Sequence, residues 1–177
     1  MKSSIGIDVV APASLVFTLA RDVERWPRLL PHYVRVDVER READGALIAR
    51  MVARRSILPA LGLGLPVAWR SRTWSEPDGR RLRFEHLGGA TKGMSVTWGI
   101  EPTAGGCRVT IEHDFRPRLG PWAWLVDRLF VRPIAGRTLA TFKALAEAVD
   151  EAAGEPSTSA STPTSTEIRT AGPGGLP

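Results

Sequence analysis

The chain has 177 residues, 43% of them hydrophobic, which is enough for one folded domain with a sizeable core. Charged residues recur throughout, so no stretch reaches the roughly 18 uninterrupted apolar residues that a membrane-spanning helix needs, and the N-terminus lacks the apolar region of a secretory signal. The net charge is +5, but basic residues lie beside acidic ones, as in Arg40-Arg41-Glu42, and this pattern argues against nucleic-acid binding.

The chain contains one cysteine, Cys107, and three histidines. A single cysteine excludes an internal disulfide and suits a reducing compartment, so we expect a cytoplasmic protein. Neither a CxxC pair nor a metal-ligand spacing of histidines occurs, and we therefore expect no metal and no cofactor. We interpret Cys107 as a small buried strand residue.

The first elements are a strand and two short helices. Ile5, Ile7 and Val9 alternate with polar or small residues and predict the strand. The segment 11–14 ends it and opens a helix, whose apolar residues recur at helical spacing up to the break at Arg21-Asp22. A second short helix is predicted over 23–30.

From Tyr33 onward the hydrophobic period is two, and six consecutive strands are predicted. Their expected ranges are 33–42, 46–57, 66–76, 80–88, 93–102 and 106–116. Between the second and third of these lies Leu58–Leu65, an apolar loop rich in glycine. We interpret this loop either as a lid over a pocket entrance or, together with Trp122 and Trp124, as a docking patch for a membrane or a partner.

The last predicted element is a long helix over 121–153, kinked or divided at Pro133. Its expected buried stripe consists of Trp122, Leu125, Leu129, Leu139, Phe142, Leu145 and Val149. The remaining residues, 154–177, are rich in Ser, Thr, Pro and Gly and contain almost nothing to bury, so we expect a disordered tail behind one domain of residues 1–153.

This order predicts an α+β fold in which a curved, seven-stranded antiparallel sheet encloses a long C-terminal helix. A strongly bent sheet around a single helix leaves space between them. We therefore expect an apolar cavity for a hydrophobic small molecule. A monomer and a homodimer fit the sequence equally well.

Several motifs carry a resemblance to a known family: Val10–Phe17, Asp22–Pro27, Trp26 with Tyr33, Trp69-Arg70-Ser71, Met94–Trp98, and Gly105-Gly106 before Asp114-Phe115. Over about residues 5–150 the chain resembles the polyketide cyclase/dehydrase branch of the START-like (SRPBCC, helix-grip) superfamily. Within that branch it is similar to bacterial aromatic-polyketide aromatase/cyclases. The neighbouring coenzyme Q-binding branch shares the fold and part of the opening motif.

The resemblance implies a pocket in which a poly-β-ketone chain, presented by an acyl carrier protein, undergoes aldol cyclisation and dehydration. The matching positions are Trp26, Tyr33, Trp69, Ser71 and Trp98. Where the family has a pocket arginine, two residues beyond the matched serine, this chain has Thr73. The pocket is thus expected to have lost or relocated its main polar catalyst. The coenzyme Q-binding branch implies the alternative function, a non-catalytic carrier of a lipid, quinone or other apolar ligand.

Strand alternation nominates further site residues independently of the resemblance. His113 shares a face with Val109, Ile111 and Phe115, and His86 shares a face with Leu82 and Phe84. Because imidazole titrates near neutral pH, both are candidates for proton transfer. The predicted catalytic residues are therefore Tyr33, Ser71, His86 and His113.

The predicted substrate-binding residues are Trp26, Trp69, Thr73, Trp98 and Arg50. Alternation places Trp69, Ser71 and Thr73 inside and leaves Arg70 and Arg72 outside, although a shift of one residue would reverse this. Arg50 lies in a strand whose two alternations are both partly apolar, and is a candidate for the missing cation.

Overall fold

The structure, a computed structural model, describes residues 2–58, 63–89, 91–115, 128 and 131–154. Within these ranges the helices are α1 (Ala13–Arg21), α2 (Trp26–Leu29) and α3 (Arg132–Gly154), and a 3-10 turn (Val23–Arg25) precedes α2. The strands are β1 (Lys2–Val9), β2 (Tyr33–Arg41), β3 (Leu47–Leu58), β4 (Leu63–Ser75), β5 (Arg81–Gly89), β6 (Met94–Thr103) and β7 (Gly106–Phe115).

The seven strands form one antiparallel sheet in the order β1-β7-β6-β5-β4-β3-β2. Strands β2 to β7 follow one another as a meander, and β1 joins the sheet beside β7, with Ile5 opposite Ile111 and Ile7 opposite Val109. Bringing the first strand next to the last one leaves α1, α2 and α3 to cover one face. The predicted helix-grip α+β fold is confirmed.

Helix α3 packs across this sheet with a face of small and large residues. Its buried residues are Ala135, Thr138, Leu139, Phe142 and Ala146. The predicted stripe is wrong at Val149, which is 39% exposed, because the buried face is no longer covered at the end of the helix. Pro133 is the second residue of the described helix.

Two side chains of α3 tie it to the end of β1. Lys143 Nζ donates to the carbonyl oxygen of Asp8 at 2.9 Å, and the backbone N–H of Val10 donates to Glu147 Oε1 at 2.7 Å. Lys143 and Glu147 also pair with each other. Hydrogen bonds from Lys143 and Val10 lower the pKa of the Glu147 carboxyl. The helix is thereby held against the edge strand by charge-assisted bonds.

The hairpin between β3 and β4 is longer than the sequence predicts. Strand β4 begins at Leu63 instead of residue 66, and Leu65 and Pro66 pair with Arg55 and Arg54. Both ends of the expected loop Leu58–Leu65 therefore belong to strands, and 59–62 lie outside the described residues. Also outside them are the predicted helical residues 121–127 with Trp122 and Trp124, and the tail beyond residue 154.

Two smaller predictions concern membrane spans and the cysteine. None of the helices in the described part of the chain is long and apolar enough to cross a membrane. Cys107 is fully buried on β7, and burial raises the pKa of its thiol. A buried, protonated thiol is chemically inert, which agrees with its interpretation as a packing residue.

Candidate functional site

A cavity of about 80 Å³ lies between the concave face of the sheet and α3. Aromatic side chains form much of its lining, among them Trp26, Tyr33, Trp69, Phe84 and Trp98. Its polar lining side chains include His86, Thr91, His113 and Thr138. None of the lining residues within the described ranges is charged, so the site is an apolar space with a few neutral hydrogen-bonding groups.

Trp26 is the centre of the aromatic floor. Its ring lies 4.9 Å from that of Tyr33, 5.5 Å from Trp98 and 5.9 Å from Phe142, measured between centroids. Its indole N–H donates to the carbonyl oxygen of Ala20 at 3.1 Å, and the residue is 1% exposed. Trp26 is therefore fixed by its own hydrogen bond and offers the cavity only an aromatic surface.

One polar end of the cavity is built around His86, on β5. Its Nδ1 lies 2.7 Å from Thr91 Oγ1, and its ring stacks on Trp69. Burial, with a smaller contribution from the nearby His113, lowers the pKa of His86 to about 3. The imidazole is therefore neutral at physiological pH and can accept or donate a proton.

A β-bulge follows His86 on β5. In the β4–β5 ladder Arg70 pairs with Gly88 and Ser71 with His86, so Leu87 is an extra residue on β5. Beyond the bulge, Gly89 pairs with Trp69 in a backbone conformation with φ of 86°, which favours glycine. Bulges of this kind redirect side chains near functional sites.

Trp69 contributes a hydrogen-bond donor, its indole N–H, to the cavity wall. The residue is 8% exposed and lines the cavity, and its indole Nε1–H has no acceptor among the residues that the structure describes. A buried N–H without a partner is costly, and a ligand oxygen at this position would satisfy it. The wall beside His86 is thus suited to a ligand that carries a carbonyl or hydroxyl oxygen.

The other polar end of the cavity contains Tyr33 and Thr138. Tyr33 is 7% exposed, and burial raises the pKa of its phenol above the usual value, partly opposed by a hydrogen bond with Thr138. The phenol is therefore protonated at neutral pH and is available as a hydrogen-bond donor or acid. Tyr33 and His86 both lie beside Trp69, at ring-centroid distances of 6.0 and 5.7 Å.

Ser71 and Thr73 lie on the inward face of β4, as alternation predicts, but not in the described lining of the cavity. Both are buried, with exposures of 0% and 4%. The Ser71 hydroxyl makes weak bonds of 3.4 Å to the carbonyl oxygens of Arg72 and Glu85.

Arg50, predicted as the relocated pocket cation, is on the wrong face. It is exposed, whereas Ala49, Met51 and Ala53, on the other alternation of β3, are buried. An inward arginine without a partner would have to be desolvated, and the strand presents alanine and methionine there instead. The prediction of Arg50 as a substrate-binding residue is therefore corrected.

The other strand arginines are outside, as predicted. Arg70 pairs with Glu39. Arg72 pairs with Glu42 and Asp44 and lies over the ring of Trp74 at 4.8 Å. The open possibility of a register shift that would bring these two arginines inside does not apply.

Sequence reasoning missed His32, Thr91 and Thr138. Thr138 interrupts the apolar stripe of α3, which is a signal that could have identified it. His32 lies in the turn between α2 and β2, and the sequence analysis considered it only as one of three histidines without a metal-ligand spacing. Thr91 lies in a turn after β5, and turn residues carry no periodicity that reveals where their side chains point.

Comparison with known proteins places these features in a family. The model of a protein family described as "Polyketide cyclase / dehydrase and lipid transport" matches residues 2–149. The granaticin polyketide synthase bifunctional cyclase/dehydratase of Streptomyces virginiae is 31% identical over 114 residues, covering 63% of this chain and 35% of that protein. A putative polyketide cyclase of Streptomyces cyaneus is 28% identical over 110 residues, covering 62% of this chain and 68% of that protein.

Among solved structures, the Zhui aromatase/cyclase from Streptomyces sp. R1128 is similar, with a TM-score of 0.72 and 19% identity. The similarity covers 87% of this chain and 98% of that one, and it shows the fold. The chain spans about a third of the length of the granaticin protein. That longer protein therefore contains sequence that has no counterpart here.

Proposed function

The chain belongs to the polyketide cyclase/dehydrase and lipid transport family, and on this premise we propose that it binds a poly-β-ketone or a related oxygen-rich intermediate in its cavity and promotes aldol cyclisation and dehydration. The observation that carries the proposal is the pairing of Trp69 and His86. Trp69, whose N–H has no partner among the described residues, and His86, whose imidazole is neutral, line the same apolar space, as expected for a ligand whose carbonyl groups are polarised while its methylene protons are removed.

The ring closure needs one base and one acid. A methylene flanked by two carbonyls is acidic, and neutral His86 takes one of its protons. The enolate carbon attacks a second carbonyl of the same chain, forming a C–C bond. Tyr33 gives its proton to the alkoxide that forms. Trp69 donates a hydrogen bond to a carbonyl oxygen during this step.

Dehydration returns Tyr33 and His86 to their starting protonation states. The former methylene carbon, which attacked the carbonyl, still carries one proton, and the Tyr33 phenolate takes it. The His86 imidazolium gives its proton to the departing hydroxyl. One water leaves and a C=C bond forms. No oxidant, reductant or metal is required, because all steps are proton transfers and additions to carbonyl groups.

His113 lies near His86 in the proposed site and acts on its protonation. Its proximity disfavours the charged form of His86. Ser71 and Thr73 support the wall that carries Trp69, and Trp26 and Trp98 provide flat surfaces on which a planar product can stack.

Ligand binding must enlarge the cavity. Its volume of about 80 Å³ is well below the roughly 300–1,000 Å³ of pockets that bury a drug-sized molecule. Met51 and Met94 line it, and unbranched thioether side chains change rotamer readily. We propose that these two side chains move when a ligand enters.

An acyl carrier protein is the proposed source of the substrate. Arg50 and Arg54 are exposed four residues apart on β3, and neither forms an ion pair with a residue that the structure describes. Such uncompensated basic side chains suit an acidic partner and would accelerate its association at low salt.

Reconstitution with a minimal polyketide synthase tests the function. Adding the protein is expected to change the distribution of shunt products toward cyclised, dehydrated compounds. His86→Phe should remove this effect, whereas Arg35→Gln, an exposed change on β2, should keep it. An unaltered product distribution with the wild-type protein would contradict the cyclase proposal.

A second candidate is a carrier of an apolar metabolite. The described lining contains no charged side chain, which suits a lipid or quinone as well as it suits a polyketide. Native mass spectrometry after gentle purification separates the two. A co-purifying lipid or quinone would favour the carrier, and an empty cavity that accepts planar polyphenols would favour the cyclase.

A further inference from the structure

His32 is a buried polar residue that the proposed reaction does not use. It is 2% exposed, and its ring centroid lies 5.1 Å from that of Tyr33. Its Nε2 is 2.8 Å from Thr138 Oγ1 on α3. The turn before β2 and helix α3 are thereby joined by one side-chain bond next to Tyr33.

The bonds around Thr138 determine where the protons are. Thr138 Oγ1 lies 2.8 Å from the carbonyl oxygen of Ile134, which can only accept, so the single hydroxyl proton is donated there. Toward His32 the same oxygen must then act as an acceptor. His32 therefore carries its proton on Nε2, and its Nδ1 is the unprotonated nitrogen, without a partner among the described residues.

We propose that His32 is a positioning residue whose Nε2–H orients the Thr138 hydroxyl toward Tyr33, so that the pair stabilises the phenolate formed when Tyr33 gives up its proton. The inference rests on the proposed function, in which Tyr33 is the acid. Thr138 and Tyr33 line the same cavity, the Thr138 hydroxyl lowers the pKa of Tyr33, and the hydrogen-bonded route from His32 to the phenol runs through this hydroxyl.

His32 and Thr138 act on Tyr33 through the rotation of one hydroxyl group, that of Thr138. When Tyr33 transfers its proton to the alkoxide, the phenolate needs a donor, and the Thr138 O–H turns to it from the carbonyl oxygen of Ile134. The His32 N–H continues to donate to Thr138 Oγ1. Successive hydrogen bonds of this kind polarise one another, so the chain is a stronger donor than threonine alone.

Burial and the nearby charge of Arg137 keep His32 neutral. Burial, together with the positive charge of Arg137 on α3, lowers the pKa of His32 to about 4. On the other side of Tyr33 the titratable groups are His86 and His113, which also line the cavity. At physiological pH the series of hydrogen bonds from His32 through Thr138 to Tyr33 therefore begins at a neutral imidazole with one N–H to donate.

The single tyrosine of the chain makes the proposal measurable without substrate. Replacing Tyr33 biosynthetically by 3,5-difluorotyrosine brings the phenol's titration to a lower pH, and fluorine NMR then follows that one residue. Thr138→Val and His32→Phe should each raise its pKa by about one pH unit, the value of one hydrogen bond to a charged group. Thr138→Ser and His32→Gln, which retain donors, should stay near the wild type.

Thr141→Val is the matched control. Thr141 lies on the same helix and bonds the carbonyl oxygen of Arg137 at 2.9 Å in the same way, but it is not in the cavity lining. It should leave the titration unchanged. A His32→Phe variant that is folded and titrates like the wild type would overturn the proposal.

Nitrogen NMR of the unmodified protein gives a test that needs no folded variant. His32 should be the Nε2–H tautomer at pH 7. An imidazolium, or a proton on Nδ1, would overturn the proposal. Because both measurements are made without substrate, they can fail while the cyclase reaction succeeds, or succeed while it fails.

Discussion

The indole of Trp69 lies stacked on the imidazole of His86, with ring centroids 5.7 Å apart and planes inclined by 21°. The two residues come from the neighbouring strands β4 and β5, whose pairing is shifted by the bulge at Leu87. Stacking fixes one side of the imidazole and the Thr91 hydroxyl fixes Nδ1. A base held in this way loses little orientational freedom when it reacts, which is the main requirement of proton transfer within a bound chain.

Replacing His86 by phenylalanine is expected to abolish most of the activity. Phenylalanine keeps an aromatic ring against Trp69 and removes only the proton acceptor. General-base catalysis contributes roughly 10²–10⁴-fold, so the rate of formation of cyclised product should fall by about that factor. A rate within threefold of the wild type, in a folded variant, would exclude His86 as the base.

Acid is expected to destabilise the protein through its buried histidines. The pKa values of His86 and His32 are lowered from 6.5 to about 3 and about 4. Between pH 6.5 and about 4 the unfolded chain therefore binds protons that the folded chain does not, and stability falls as the pH falls. Urea unfolding at pH 7 and pH 4.5 measures this.

Two variants identify the source of that acid sensitivity. His86→Phe and His32→Phe should each reduce the loss of stability between the two pH values, because phenylalanine does not titrate. If both variants lose as much stability on acidification as the wild type, the sensitivity arises from other groups.

Trp69→Phe is expected to weaken the binding of oxygen-bearing ligands while leaving the fold intact. The indole N–H makes no hydrogen bond within the described chain, so its removal leaves no partner unsatisfied in the free protein. A lost hydrogen bond to a neutral ligand oxygen is worth about 1 kcal/mol, or about fivefold in affinity. Calorimetry with a planar polyphenol should show this decrease, and a purely hydrocarbon ligand should show a smaller one.

Gly89→Ala is expected to destabilise the wall that carries Trp69. A methyl group at Gly89 would lie 2.4 Å from the carbonyl oxygen of Ala68, in a backbone conformation with φ of 86°. Gly79 has a φ of 66° but open space around it, so Gly79→Ala reports the conformational strain alone. In thermal unfolding Gly89→Ala should lower Tm by several degrees more than Gly79→Ala. Equal losses would show that the close approach to β4 is unimportant.

The sequence predicts the sheet and the direction of its side chains well. The alternation around His86 and His113 places both histidines on the concave face, because successive strand residues point to opposite sides. It fails at β3, where Ile48, on the same alternation as Arg50, is buried as well. With apolar residues buried on both faces, the pattern does not identify the inward one.

The alternation of residues along a strand also does not show how far a side chain lies from the facing helix or which distant residue it contacts. Ser71 is inward and fully buried, yet it is not among the described lining residues of the cavity, because alternation gives the side of the sheet and not the distance to the facing helix. His32 and Thr138 are 106 residues apart in the chain and touch only once α3 crosses the sheet. Their contact is a property of the packed structure, which local patterns do not contain.

The central claim is that an oxygen-bearing ligand binds between α3 and the sheet, against Trp69. The most direct measurement is the indole N–H spectrum of ¹⁵N-labelled protein during titration with a soluble polyphenol, with Trp69 assigned from Trp69→Phe. The Trp69 signal should shift downfield as its N–H gains an acceptor, while that of Trp26, already bonded to Ala20, should move little. Saturable binding that leaves the Trp69 signal in place would contradict the account.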